Sequence, residues 1–572
     1  MACAVTDSDL TLPILLLKSF SLIRTFHCIV ALSVFALIFL YRFLEFHFLR
    51  DAARGFRGDR VALTFDPRSE IYEGVVSKCR VLHGRYLVTP WLASPHLQTG
   101  FLHFFGRAAP FCYRRQLYTV QDGGTIALDW LLASDVTGAS YDTGRVISKD
   151  DSTPLVIVIP GLTSDSASPY VRHFVYSMAK QGWNVVVGNH RGLGGISITS
   201  DCFYNAGWTN DVREVINCLH QEYPKAPLFA IGTSIGANIL VKYLGEDGEN
   251  TPLAGAASIC SPWDLVVCDR FINRKLVQRL YDRALALGLK GYAQLHQAVL
   301  TRLANWDGIR SSRTVRDFDN HATCIVGKFE TVDTYYRHCS SVSFVKGVSV
   351  PLLCISALDD PVCTSEAIPW DECRANKNIV LATLPHGGHL AFFKGLTAHS
   401  LWWVGAVSEF LSVLHSSPYM HEQQQIESTG VHSPLESSID KSPYVNIMED
   451  GLVTALTNDE PNNNEATALL DARTTHEQKS DINSTTEEVK GERTERRTNP
   501  VHETVPTCAQ SAHEDTISEV FHNMTVQVKR SMNQLTRQSG RSIWLLAYIA
   551  IVTTWPLLGS FFPAVFRKKL KV

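Results

Sequence analysis

Between residues 84 and 415, short apolar runs alternate with stretches of helical periodicity. LVIVI (155–159), NVVVG (184–188), LFAIG (228–232), AGAASI (254–259), LLCIS (352–356) and IVLATL (379–384) are almost continuously apolar. Strands read this way when helices cover both faces of a parallel sheet. An earlier pair, QLYTV and TIALDWL, is separated by QDGG and predicts an antiparallel hairpin at the sheet edge. Residues 262–350, between the fourth and fifth parallel strands, hold more helical pattern than a plain crossover needs, including FINRKLVQRLYDRALALGLKGYAQLHQAVLTRL. They predict a cap over the carboxyl ends of the strands, where ligands bind in open α/β sheets. The class is therefore α/β with a mostly parallel sheet.

The flanks are patterned differently. Cys28 to Leu40, CIVALSVFALIFL, runs into YRFLEF and is preceded by TLPILLLKSFSLI. A spanning helix needs roughly 20 mostly apolar residues, and no small-residue cleavage site follows, so the pattern predicts an uncleaved anchor at about 26–46 within an N-terminal region 1–83. From 416 to 515 the chain is rich in Thr, Asn and Glu, too poor in apolar residues to offset the entropy of ordering, which predicts a disordered linker. Over 516–540, Ile517, Val520, Phe521, Met524, Val528, Met532 and Leu535 recur at helical spacing and predict an amphipathic helix. Ile543 to Phe566, within 541–572, reads as a second membrane segment closed by the basic tail RKKLK, with Pro556 and Pro563 positioned to kink it. Arg42, Arg50, Arg54, Arg57 and Arg60 follow the first segment and only Lys18 and Arg24 precede it, which favours a cytosolic central region. The membrane expected is the endoplasmic reticulum or another endomembrane, which no residue pattern specifies. Acceptor patterns for glycosylation at Asn483 and Asn523 point the other way.

Composition removes several classes of function. A net charge of −3 over 572 residues leaves no basic stripe with which to track phosphates, so no nucleic-acid partner is expected. The fourteen cysteines are scattered singly from Cys3 to Cys508, with neither metal-ligand spacing nor a disulfide framework. No cofactor or metal is expected.

The candidate chemistry starts at IGTSIGAN, Ile231 to Asn238, directly after a strand. G-x-S-x-G in that position is the nucleophile elbow, in which flanking glycines tighten the turn and lift the serine above the sheet. The alternative is that Ser234 only caps a helix starting near Ala237. An acid and a histidine should follow the serine, each at the end of a later strand. ALDDPV follows LLCIS with Asp359 and Asp360, and PHGGHLAFF follows IVLATL with His386 and His389. Asp360, which leads into Pro361 and Val362 as a loop, is preferred over Asp359. His389, after the flexible GG, is preferred over His386. A serine hydroxyl is a poor nucleophile until a base takes its proton, and the base needs a carboxylate to fix its tautomer. Two amides must also face the developing oxyanion: Ile235 after the nucleophile, and Leu162 in PGLTSDSASPY after LVIVI.

VIPGLTSDSASPY, GNHRGLGG, GTSIGANILVKYLGE, ALDDP and HGGHLAFF, in this order and preceded by PWLASPHLQT (Pro90 to Thr99), resemble the type-4 family of the AB hydrolase superfamily. That family includes membrane-anchored abhydrolase-domain proteins, plant embryogenesis-associated proteins and yeast medium-chain ethyl ester synthase/esterases. The resemblance covers roughly Gly84 to Leu414 and leaves out the linker and the carboxyl-terminal membrane segment. It implies an α/β-hydrolase fold with Ser234 as nucleophile, Asp360 as acid and His389 as base, acting on a lipid-like ester at a membrane. Some members carry an H-x-x-x-x-D acyltransferase motif, and no histidine of the catalytic region here has an aspartate five positions on. Acyl transfer to an alcohol needs no such motif. The competing expectation is a non-catalytic lipid-binding or scaffold protein built on the same fold.

Overall fold

A computed structural model describes residues 25–107, 109–136, 147–422, 445–447 and 453–455. The strands of its nine-stranded sheet are β1 (Ala62–Thr64), β2 (Arg114–Thr119), β3 (Thr125–Leu131), β4 (Leu155–Ile159), β5 (Asn184–Gly188), β6 (Leu228–Thr233), β7 (Leu253–Ile259), β8 (Leu352–Ala357) and β9 (Ile379–Leu384). Their spatial order is β1-β9-β8-β7-β6-β4-β5-β3-β2. The six strands from β9 to β5 are parallel. The edges β1, β3 and β2 join antiparallel. All six apolar runs and the hairpin thus become sheet strands, for the reason their composition suggests. Leu155, Ile157 and Ile159 enter the core on one face of the sheet, Val156 and Val158 the core on the other. Helices α3 (Pro169–Lys180) and α7 (Trp402–His415) cover the second face with Phe174, Met178, Trp403 and Phe410. Helices α4 (Asn210–Glu222) and α5 (Ile235–Asp247) cover the first with Ile216, Leu219, Leu240 and Leu244.

Three features depart from the sequence expectation. The sheet reaches upstream of residue 84: β1 pairs with β9 through Leu381 and Thr64, and Ile71, Val75, Val76 and Leu82 enter the main core. A three-residue strand carries no readable period, and its role is to cover the edge of β9. Helix α5 starts at Ile235, two residues earlier than expected. Within the segment expected to be disordered, Val445–Ile447 and Val453–Ala455 pair antiparallel, both being short alternations of β-favouring residues. The predicted amphipathic helix 516–540 and carboxyl-terminal membrane segment 541–572 lie outside the described residues.

Among the described residues no helix is long and apolar enough to cross a membrane. The anchor expected at about 26–46 therefore stands as a helix, α1 (Thr25–Phe43), with large apolar side chains from Ile29 to Phe39 exposed. Its carboxyl end is fixed to the body of the protein. The Ser94 hydroxyl donates to Leu44 O at 2.5 Å, and the His47 amide donates to Ala93 O at 2.9 Å, just before α2 (Pro95–Phe105).

Residues 262–350 form the expected helical insertion, whose longest element is α6 (Leu276–Leu295). It packs against the loop that follows β5 through two apolar clusters. Leu289, Tyr292, Leu300 and Phe318 meet Leu193, Phe203 and Tyr204 in one, and Val266, Val332, Tyr335 and Cys339 meet Ala206 in the other. Asn238 of α5 binds the insertion to the elbow. It is fully buried, donates to Ala206 O and Cys339 O at 2.9 and 2.7 Å, and accepts from the Ser341 amide at 3.0 Å.

The glycines on either side of the serine leave no room for a side chain. A Cβ on Gly236 would stand 2.3 Å from both Ile159 O and Pro160 O, whereas one on Gly291, exposed in α6, would meet nothing within 4 Å. Gly236→Ala is accordingly expected to destabilise the fold by about 3 kcal/mol or more, since rigid backbone must move. Gly291→Ala should stabilise it by about 0.5–1 kcal/mol through helix propensity alone. Urea unfolding of the two variants checks both signs.

Candidate active site

The site begins where β6 ends. Ser234 follows Thr233 with φ 53° and ψ −121°, a conformation rarely held outside glycine. Its neighbours leave the backbone no alternative. A Cβ on Gly232 would come within 2.4 Å of Gly236 O, so strand and helix pack without a side chain between them. The Ser234 amide donates to Ile259 O on β7 at 2.8 Å. Although Ser234 occupies the cap position of α5, its side chain makes no capping bond. Its Oγ instead lies 2.9 Å from His389 Nε2.

His389 Nδ1 is 2.8 Å from Asp360 Oδ2. A buried carboxylate at Nδ1 makes that nitrogen the donor, so Nε2 presents its lone pair to the serine hydroxyl. Asp360 is held in turn, because its Oδ1 accepts the Val362 and Cys363 amides at 2.8 and 2.9 Å. The structure therefore brings together the three preferred residues Ser234, His389 and Asp360, which arrive from the ends of β6, β9 and β8.

The two residues passed over form a pair of their own. Asp359 Oδ2 is 3.1 Å from His386 Nδ1, and Asp359 Oδ1 accepts the Gly387 and Gly388 amides at 2.9 and 3.0 Å. Asp359 thus clamps the loop that carries His389. Gly388, at φ 60°, leaves no room for a side chain, since a Cβ there would be 2.8 Å from Pro95 O and Thr99 Oγ1. The Thr99 hydroxyl accepts the His389 amide at 2.9 Å. The segment PWLASPHLQT therefore positions the histidine, a role that nothing in its own pattern signals.

Leu162 lies in the loop after β4, the neighbour of β6 at the point where strand order reverses. A Cβ on Gly161 would stand 3.3 Å from Ser234 Cβ, so this loop flanks the serine. The amides on either side are committed: Gly161 donates to Tyr170 Oη at 3.0 Å and Thr163 to Tyr204 Oη at 3.1 Å. Among the described residues the Leu162 amide has no protein acceptor. The Ile235 amide opens α5, where a helix has no internal acceptor to offer. Two donors thus remain for an anion beside Ser234, and the α5 amino terminus adds its dipole. The sequence offered no sign of Tyr170 or Tyr204 as the clamps. His190 completes the support: its Nε2 donates to Pro160 O at 3.0 Å and its ring stacks on Tyr204 at 4.3 Å.

Two sets of donor atoms lie close enough to suggest an ion: Cys260, Asp360 and His389, and His47, Asp359 and His386, each within 4.8 Å. In both sets every carboxylate oxygen already serves an imidazole or backbone amides, so an ion would have to compete with those bonds. The arrangement is a serine hydroxyl, an imidazole, a buried carboxylate and two backbone amides. It is suited to attack on a carbonyl carbon.

Comparison with known proteins agrees with the fold. The profile of the α/β hydrolase fold matches residues 154–396. The embryogenesis-associated protein EMB8 of Picea glauca is 34% identical over 392 residues, covering 65% of this chain and 83% of that protein. Phospholipase ABHD3 of Homo sapiens is 30% identical over 318 residues, covering 56% and 76%. Monoacylglycerol lipase of Saccharomyces cerevisiae is 31% identical over 276 residues, covering 47% and 61%.

Burial holds His190 below the ordinary imidazole value of 6.5, so the folded protein binds its proton less readily than the unfolded chain. Its contribution to stability is complete above pH 6.5 and is lost as pH falls below it. Burial lowers His96 and His173 likewise. Melting temperature should be level from about pH 8 to about pH 7 and fall towards about pH 5. His190→Gln, which keeps a donor for Pro160 O and cannot titrate in this range, should show a shallower fall in a scanning calorimetry series.

Proposed function

The chain belongs to the type-4 family of the AB hydrolase superfamily, and on that footing we propose that it is a membrane-associated serine hydrolase opening lipid-like carboxylic esters through an acyl-enzyme. The carrying observation is the unbroken chain from Ser234 Oγ through His389 to Asp360, set on a turn at φ 53°. That strain points the hydroxyl away from the sheet and towards the base.

In this mechanism His389 Nε2 takes the Ser234 proton as Oγ bonds to the ester carbonyl carbon. The carbonyl oxygen gains negative charge as the tetrahedral intermediate forms, and the Leu162 and Ile235 amides face it. The imidazolium, held by Asp360, returns the proton to the leaving alkoxide as the C–O bond breaks. Water then attacks the acyl-enzyme with His389 again as base, and the acid is released with Ser234 restored. An alcohol in the place of water would yield an ester, a transfer side activity of the same intermediate.

A lipid-like substrate is supported by the names of two relatives, a phospholipase and a monoacylglycerol lipase, and by the apolar surroundings of the site. Leu162 packs against one cap cluster and Ile235 against the other, so apolar side chains flank the serine on both sides. Membrane association is supported by α1, whose exposed apolar side chains would be solvated by lipid at lower free energy than by water. The catalytic domain would face the cytosol, on the side carrying the arginines that follow α1.

A fluorophosphonate probe should label Ser234, and Ser234→Ala should abolish labelling and lower kcat by about 10⁶-fold. Asp360→Asn should lower kcat by about 10⁴-fold through the wrong imidazole tautomer. Asp359→Asn, which loosens the loop without touching the reacting atoms, should cost only about tenfold. Undiminished ester hydrolysis by the alanine variant rejects the mechanism.

A further inference from the structure

Helix α6 has apolar residues on two opposite sides, and only one of them is covered. Its inner face buries Val277, Ala286, Leu289 and Tyr292, and a Cβ on Gly288 would stand 3.2 Å from Thr163 Oγ1, one residue from the Leu162 amide. Its outer face exposes Leu276, Leu280 and Leu287 by 66%, 47% and 68%. At about 100° per residue these three leucines fall within about 40° of one another, forming a stripe along three turns. Arg279 and Arg283 are exposed beside it. The helix has one acidic residue, Asp282, and that one is buried, accepting the Val315 amide at 2.9 Å. An exposed leucine stripe edged by arginines, with no exposed carboxylate on the helix itself, has the charge and apolar balance of a helix lying in the headgroup layer of an anionic bilayer.

The position of the stripe favours a membrane over a protein partner. Lys275, at the start of α6, pairs with Glu45 at 2.9 Å, two residues beyond the end of α1. His96 in the first turn of α2 is 3.2 Å from Tyr281 Oη of α6. At the far end of α2, Phe104 and Phe105 are exposed by 75% and 62%. Trp91 just before it is half exposed and donates from Nε1 to Leu396 O at 2.8 Å. Apolar and interfacial residues thus continue from α1 across α2 to α6 on elements joined by direct side-chain bonds.

We propose that the outer face of α6, with Leu276, Leu280 and Leu287 immersed and Arg279 and Arg283 against phosphate or carboxylate headgroups, docks the cap onto an anionic lipid surface beside the active site. The same helix then touches lipid on one side and the loop flanking Ser234 on the other, so a lipid ester can pass from the bilayer to the serine with little exposure to water. This rests on the reading of the substrate as a lipid-like ester.

The test uses the full chain in vesicles containing phosphatidylserine. Leu287→Trp in a Ser234→Ala background should add emission that is quenched by brominated lipid and sheltered from aqueous iodide. In the active protein, Leu280→Glu with Leu287→Glu should lower hydrolysis of a vesicle-borne monoacylglycerol by about tenfold or more, leaving a soluble p-nitrophenyl ester within about twofold. Arg279→Glu with Arg283→Glu should remove the rate advantage of phosphatidylserine over phosphatidylcholine. An added tryptophan quenched by iodide and not by brominated lipid overturns the proposal. So does one sheltered from both, which would place a second copy or another protein on the stripe, and so does equal loss, or no loss, on the two substrates. A wild-type protein that hydrolyses neither ester rejects the ester reading, while the quenching result still decides the docking.

Discussion

A serine backbone at φ 53° is the constraint around which the site is arranged. Such a conformation costs on the order of 1–3 kcal/mol and persists only where its surroundings over-determine it. Here β7 binds the Ser234 amide from below, and the absence of side chains at Gly232 and Gly236 lets β6, α5 and the end of β4 approach to backbone contact. The close approach that forces the turn also brings the Gly161–Leu162 loop beside the serine. The placement of the serine hydroxyl, the two amides and the helix amino terminus therefore follows from one packing event.

The neighbouring carboxylates Asp359 and Asp360 divide the remaining work by direction. Leaving the end of β8 in succession, they send their side chains different ways. Asp360 reaches inward to His389, and Asp359 holds the Gly387 and Gly388 amides together with His386. One orients the imidazole and the other the backbone that carries it. Thr99 secures the same loop from α2, so the histidine is held at its ring by an acid and at its amide by a residue far upstream.

The region before the sheet is part of this support. The chain leaving α1 is bonded to the turn preceding α2, and His47 stacks on His386 at 3.7 Å, next to the loop that Asp359 clamps. An exposed apolar helix is thereby connected to the histidine loop through a few short contacts.

Much of this was legible in the chain itself. Continuous apolar runs identified the six parallel strands because a strand covered on both faces has no polar side to show. The order serine, acid, histidine at strand ends, with glycines flanking the serine, singled out Ser234, Asp360 and His389 because steric demand and proton transfer restrict the residue types that can stand there. The three-residue β1 was hidden by its shortness, and the roles of Thr99, Tyr170, Tyr204 and Asp359 by their ordinariness, since any hydroxyl or carboxylate can bind an amide. Those roles exist only where folding brings distant backbone groups within about 3 Å of them. Local sequence determined the chemistry available, and tertiary contact decided which groups hold it in place, because a hydrogen bond depends on where the chain passes in space.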